Sequence, residues 1–184
     1  MDFVSALSQA SLVLVFAAAI VGKIRNTASF LAFKQAVATL GPVPAARAGV
    51  LAAGVVIAEA MTVLLLADPW PHGDRLPAVI GLLTAIGLLA SFTYAIAHAL
   101  RTGIQVGCRC FGTSASPVGP PQLIRNSVLL VLAVVAIPGA GESGHLSWQA
   151  RFAGWLCGAT AALVLVVGDE LVALLRSAPP RTSI

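Results

Sequence analysis

The sequence predicts an all-α protein, an integral membrane helical bundle of about five transmembrane helices. Of its 184 residues, 58% are apolar and only 10% are charged, whereas soluble domains carry about 25% charged residues. The apolar residues are gathered into runs near the roughly 20 residues that one helix needs to cross a bilayer. The lipid bilayer is therefore the expected partner. Because no Gly-rich phosphate loop or aromatic-basic stripe occurs, we expect neither nucleotide hydrolysis nor nucleic-acid binding.

Five apolar runs predict a single polytopic membrane domain over residues 1–176, with a short polar tail at 177–184. We interpret the first run as a retained helix, because Asp2 replaces the basic start of a signal peptide and no small-residue cleavage pattern follows. The fourth run is the least apolar, since Arg125 and Asn126 lie in its first turn. Four spans with one peripheral helix is the alternative count. The predicted spans are about 4–22, 48–67, 77–100, 123–140 and 152–175.

A further apolar stretch follows the first span and ends at Gly41-Pro42-Val43-Pro44. Phe30, Phe33, Val37 and Leu40 recur at helical spacing, which is typical of a short helix lying in the membrane interface. A loop packed on the bundle fits the same pattern. Small residues in the spans also allow close helix packing; these are Gly81, Gly87, Gly154 and Gly158.

The distribution of Lys and Arg predicts the orientation of the bundle, because cytoplasmic loops are enriched in these residues. Nine basic residues fall on the side that carries the loops after spans one and three, and two fall on the other side. The N-terminus is then outside and the third loop is cytoplasmic. The nine are Lys23, Arg25, Lys34, Arg47, Arg101, Arg109, Arg125, Arg176 and Arg181, and the two are Arg75 and Arg151.

The third loop carries the most specific chemistry, a Cys108-Arg109-Cys110 triplet flanked by Gly107 and Gly112. Two cysteines this close can form a small, strained disulfide, and strained disulfides are reduced more easily. Arg109 favours the thiolate, which is the species that attacks disulfides. We therefore predict that Cys108, Cys110 and Arg109 carry out thiol–disulfide exchange.

The cysteines also allow other interpretations. The pair can serve as two small apolar residues at a helix end, or its thiolates can join His98 around copper or zinc. With no second cysteine pair on that face, we expect no metal site. Cys157 lies about five residues into the fifth span, counted from the membrane face opposite the Cys108 loop. We expect it to be a small buried hydrophobe.

Glu59 is the only acidic residue near the middle of a span. An ionisable group at that depth is a candidate for function, here as a proton or quinone-headgroup partner in redox chemistry. The structural alternative is a pair with Lys23, Arg25 or Arg125, or with the Tyr94 hydroxyl. Both interpretations require Glu59 to face the interior of the bundle.

Several polar residues are predicted to lie at the same membrane face as the cysteines and to support them. Arg125 and Asn126, in the first turn of the fourth span, can mark the end of that span in the headgroup region. They can also hold the cysteine loop through hydrogen bonds. The supporting set is Glu59, His98, Arg101, Arg125, Asn126 and Lys23.

Taken in order, these features resemble the methylamine-utilisation MauE family of DoxX-like membrane proteins. The first span ends in Lys23, the second carries Glu59, and the third leads to Cys108-Arg109-Cys110-Phe111-Gly112, after which Arg125-Asn126 starts the next span. The likeness covers about residues 3–175. The family usually has a small residue between the two cysteines, where this chain has Arg109.

The resemblance implies a four-helix DoxX-like core plus one helix in the bacterial cytoplasmic (inner) membrane. It implies thiol–disulfide oxidoreductase activity that forms or shuttles disulfides during maturation of periplasmic methylamine dehydrogenase, with a thioredoxin-like protein partner. A periplasmic client requires the cysteines outside, opposite to the side that the basic residues indicate. A quinone is a candidate cofactor. The rival functions are a non-redox assembly subunit and a small-solute or metal transporter, of which the solute transporter would depend on Glu59.

Overall fold

The computed structural model describes residues 2–41, 44–67, 75–103, 119–140 and 147–177. Over these ranges the chain is helical and contains no strand. The helices are α1 (Asp2–Ile24), α2 (Thr27–Leu40), α3 (Ala48–Leu66), α4 (Arg75–Thr102), α5 (Pro120–Ala136) and α6 (Trp148–Ser177), and a 3-10 turn at Ala45–Arg47 precedes α3.

The predicted fold class is confirmed. In the described part of the chain, α1, α3, α4 and α6 are long and apolar enough to cross a membrane, and α5 is a shorter apolar helix. Buried aliphatic residues of α1, α3, α4 and α5 form a shared core, in which Leu12, Leu66, Leu82 and Leu129 are almost fully enclosed. The outer surfaces of the helices remain apolar, as expected for a bundle in lipid.

Contacts between the helices fix their relative directions. Ser5, near the start of α1, donates a hydrogen bond to the carbonyl of Ala136 at the end of α5. Arg75, at the start of α4, donates to the carbonyl of Ala140 just beyond α5. Gly81, near the start of α4, packs against Leu66 at the end of α3. The ends of α1 and α4 therefore lie on the same side as the starts of α3 and α5, and this side is called the Lys23 end below.

Helix α2 packs on the bundle at the Lys23 end. It begins where the Asn26 side chain accepts a hydrogen bond from the backbone N–H of Ser29, at 2.7 Å, which satisfies an otherwise unpaired donor of the first turn. Its inward face buries Ser29, Phe33 and Ala36, at the spacing of one side of a helix. The stretch that fitted either a helix or a loop is thus a helix.

Helix α6 packs closely along α1. A Cβ atom added to Gly158 would lie 2.5 Å from the carbonyl oxygen of Leu7, and one added to Gly154 would lie 3.0 Å from Ala6. Ser11 reinforces this contact by donating a hydrogen bond to the carbonyl of Gly158 at 3.1 Å. The packing role predicted for these two glycines is confirmed, as it is for Gly81, where an added Cβ would lie 2.9 Å from Leu66.

Two expectations about small residues in the helices are wrong. A Cβ atom added to Gly87 would meet nothing within 4 Å, because this glycine faces outward from α4. Cys157 is exposed and not buried. The face of α6 that meets α1 passes through Gly154 and Gly158, and the helical turn of about 100° per residue carries the neighbouring Cys157 away from it.

Candidate functional site

A buried ion pair links α1 to α3 at the Lys23 end. Nζ of Lys23 lies 2.5 Å from Oε1 of Glu59 and donates a hydrogen bond to it. Each side chain is only 1% exposed. Glu59 therefore faces the interior of the bundle. Among the partners that the sequence suggested for it, Lys23 is the one that it contacts.

The helical pattern of α3 explains why Glu59 points inward. Its buried positions include Ala52, Glu59, Thr62 and Leu66, which lie along one side of the helix. Thr62, one turn beyond Glu59, donates its hydroxyl proton to the carbonyl of Ala58 in its own helix. Among the buried residues of α3, Glu59 therefore carries the charged group, since the others are apolar or, like Thr62, hydrogen-bonded within the helix.

Two aromatic rings flank the Lys23 ammonium. Nζ lies 5.0 Å from the ring centroid of Phe33 in α2 and 5.3 Å from that of Phe92 in α4. Both distances are within the roughly 6 Å over which a cation is attracted to an aromatic face. Lys23 is thus held by a carboxylate and two rings that come from three different helices.

Helix α5 adds a second cation to this region. Arg125 and Asn126 are 6% and 5% exposed, and Arg125 donates from Nε and Nη2 to Oδ1 of Asn126 at 3.4 and 3.3 Å. Arg125 lies close enough to Lys23 to repel it electrostatically. Lys23, Glu59, Arg125 and Asn126 are called the buried charged cluster below.

The start of α5 is well defined and brings Arg125 and Asn126 to this position. Pro120 occupies the first helical position, where its missing N–H costs no hydrogen bond. The side chain of Gln122 accepts a hydrogen bond from the backbone N–H of Gly119 at 2.9 Å. Arg125 and Asn126 follow within the next turn and face the bundle.

The second carboxylate oxygen of Glu59 is the unusual atom of the cluster. Oε2 is buried and has no hydrogen-bond partner among the described residues. A buried polar atom without a partner costs about 1–3 kcal/mol, and more when it is charged. The cluster can therefore accept a further hydrogen bond at Oε2.

The other predicted supporting residues lie outside the cluster. His98 is exposed and stacks on Tyr94 with ring centroids 6.2 Å apart, while Arg101 is exposed in the last turn of α4. Tyr94 is 72% exposed, so its hydroxyl is not the partner of Glu59. The predicted catalytic residues Cys108, Arg109 and Cys110 lie outside the described residues.

Phe33 and Phe92 are the members of the site that the sequence did not single out. Phe33 was recognised only as part of a helical apolar pattern, and Phe92 looked like any other apolar residue of its span.

Within the ranges that the structure describes, no group of three or more His, Cys, Asp or Glu side chains is arranged to hold a metal ion.

Comparison with known proteins gives one match. A family model described as methylamine utilisation protein MauE matches residues 1–139, which include α1 to α5. Searches of curated proteins and of solved structures found no match. Together with the apolar helices, the family match identifies a multi-pass membrane protein.

Proposed function

Because this chain belongs to the methylamine utilisation protein MauE family, we propose that it exchanges thiols and disulfides through Cys108 and Cys110 in support of methylamine dehydrogenase maturation. It acts in the bacterial cytoplasmic (inner) membrane. Its protein partner is thioredoxin-like and supplies or receives the disulfide. Arg109 and the buried charged cluster assist the exchange.

The observation that carries this proposal is the convergence of α4 and α5 on the buried charged cluster. Phe92 of α4 and Arg125 of α5 both belong to the surroundings of Lys23. The segment that joins these two helices, residues 104–118, contains the Cys108-Arg109-Cys110 triplet. The chain thus keeps buried polar groups in the helices that flank its two neighbouring cysteines.

The proposed exchange proceeds through a mixed disulfide. A thiolate of Cys108 or Cys110 attacks a disulfide of the partner, forming one sulfur–sulfur bond while the partner's bond breaks and releases a partner thiolate. The second cysteine, also as thiolate, then attacks the mixed disulfide. The chain gains a disulfide and has lost two thiol protons, and the partner gains two thiols. The reverse sequence delivers a disulfide to the partner.

Positive charge near the cysteines favours this chemistry, because thiol–disulfide exchange requires the thiolate. Arg109 lies between the two cysteines in sequence, and Arg101 lies in the last turn of α4 before them. A thiolate of Cys108 or Cys110 close to these arginines is stabilised by their positive charge.

The experiment is a comparison of cysteine variants in a host whose methylamine-dependent growth requires this protein. We expect the Cys108→Ser/Cys110→Ser double variant to abolish growth and the active methylamine dehydrogenase. One of the single variants, Cys108→Ser or Cys110→Ser, should accumulate a reducible mixed disulfide with a partner. Cys157→Ser is the matched control and should behave as wild type, since this cysteine lies exposed on the outer face of α6.

Full growth of the double variant would overturn the proposal. If Glu59→Gln abolishes growth in that case, the small-solute transporter becomes the better assignment. Labelling with a membrane-impermeant maleimide, in intact cells and in inverted vesicles, tells which side carries Cys108 and Cys110. Labelling in intact cells supports a periplasmic client, and labelling in inverted vesicles supports exchange with a cytoplasmic reductant.

A further inference from the structure

The buried charged cluster has an acceptor and a donor available to a ligand. Oε2 of Glu59 is buried and lacks a partner among the described residues, so it can accept a hydrogen bond. An ammonium group has three N–H donors, and Lys23 gives one of them to Oε1 of Glu59. A group that both accepts from Lys23 and donates to Glu59 complements this pair.

The location of the cluster narrows the chemistry of the ligand. A charged ligand would have to give up its hydration to reach these buried groups, which is costly. The cluster is enclosed by helices whose outward residues are apolar, among them Val21, Leu31 and Ile57. A neutral, lipid-soluble molecule that carries oxygen atoms is therefore the class that fits.

The aromatic residues favour a flat ligand. The rings of Phe33 and Phe92 lie within 5.0 and 5.3 Å of Nζ of Lys23, so a molecule bound to this nitrogen lies beside both of them. Aromatic rings pair well with other rings in offset or edge-to-face arrangements. Two phenylalanines around a polar pair suit a flat ring with oxygen substituents.

We propose that the buried charged cluster binds the headgroup of a quinone, with Lys23 donating to a ring oxygen of the quinone and Glu59 Oε2 accepting from the hydroxyl of the quinol. This inference rests on the proposed function, to which it adds the electron acceptor. The Cys108 and Cys110 thiols become a disulfide and give up two electrons and two protons. The quinone takes up both and leaves as the quinol.

The first test measures binding of ubiquinone-1 to the full-length protein in phosphatidylethanolamine–phosphatidylglycerol nanodiscs. We expect saturable binding to the wild type, and a dissociation constant at least tenfold higher for Glu59→Gln and for Lys23→Met. Phe92→Leu keeps the ion pair intact and should weaken binding several-fold, so the test survives if a charge variant fails to fold. Thr62→Ala is the control and should bind as wild type, because its hydroxyl is bonded within α3.

The second test separates this inference from the proposed function. The Cys108→Ser/Cys110→Ser variant should bind ubiquinone-1 as the wild type does but form no quinol. Reduced wild type should form one quinol for each disulfide. Binding without quinol formation by the wild type would overturn the role as acceptor. No saturable binding, or equal binding by all variants, would overturn the site itself while leaving thiol exchange with a protein partner in place.

Discussion

Lys23 and Glu59 lie 36 positions apart in the sequence, yet Nζ of one meets Oε1 of the other at 2.5 Å inside the bundle. The pair joins the last turn of α1 to the middle of α3 and is enclosed almost completely. Removing one member of a buried pair leaves an uncompensated charge, which is much less stable than the pair. The contact therefore contributes to the fold as well as to the candidate site.

The ion pair should show strong energetic coupling. We expect Lys23→Met or Glu59→Gln alone to lower the free energy of unfolding by about 3–5 kcal/mol. The double variant should lose much less than the sum of the two, because no unpaired charge remains. Unfolding of the four proteins in detergent measures this coupling, and additive losses would show that the two groups do not act as a pair.

The contact between α1 and α6 should depend on the absence of a side chain at Gly158. Gly158→Ala places a Cβ 2.5 Å from the Leu7 carbonyl and 2.7 Å from Ala10. We expect a loss of about 1–3 kcal/mol, typical of overpacking. Gly87→Ala is the control, since it meets nothing within 4 Å, and it should be neutral or stabilising by up to about 1 kcal/mol. Equal melting temperatures for the two variants in detergent would contradict the packing described.

Replacing each of two buried serines of α1 with alanine should change the stability of the protein by different amounts. Ser11 donates to the carbonyls of Leu7 and Gly158, whereas Ser8 Oγ has no partner among the described residues. We expect Ser11→Ala to cost about 0.6 kcal/mol and at most about 1.7 kcal/mol. Ser8→Ala should be neutral or slightly stabilising, because it removes an unsatisfied hydroxyl. Thermal unfolding in the same detergent distinguishes them, and a larger loss for Ser8→Ala would contradict the hydrogen bonding described.

The start of α2 should depend on Asn26. Its side chain accepts from the Ser29 N–H, and replacing such a cap with alanine costs about 1 kcal/mol. We expect Asn26→Ala to speed hydrogen exchange of the α2 amides while those of α3 keep their rates. Asn26→Asp preserves the acceptor and should exchange as wild type. Unchanged exchange in Asn26→Ala would show that the cap does not hold α2 in place.

The fold class was predictable because the dominant signal in the sequence is the hydropathy of long runs. The interior position of Glu59 was also predictable, since an acidic residue in lipid must face the bundle. Its partner was not, because the apolar pattern places Lys23, Arg25 and Arg125 at the same end of the bundle without showing which side chain turns inward. The structure selects Lys23, whose side chain turns inward at the end of α1 while Arg25 is exposed.

The sequence did not predict which side chains face inward, because this depends on the rotation of each helix about its axis. His98 lies near the end of α4, at the end of the bundle that the sequence predicted for it. Its neighbour Ala99 occupies the inward position, so His98 is exposed. Cys157 is exposed for a similar reason, since Gly158 beside it takes the contact with α1. Apolar patterns give the position of a residue along a helix more securely than its direction around the helix axis.

The dependence of the cysteine pair on the buried charged cluster is tested most directly by the redox state of Cys108 and Cys110 in growing cells. This state is measured by maleimide–polyethylene glycol gel shift after acid trapping. We expect wild type to contain oxidised and reduced forms, and Glu59→Gln, present at normal levels in the membrane, to accumulate the reduced form. Both proteins carry Cys157→Ser, so that the third cysteine does not contribute to the gel shift. If the fraction of reduced thiols is the same in wild type and in Glu59→Gln, the buried charged cluster does not serve the cysteines, and the proposed electron transfer through it is wrong.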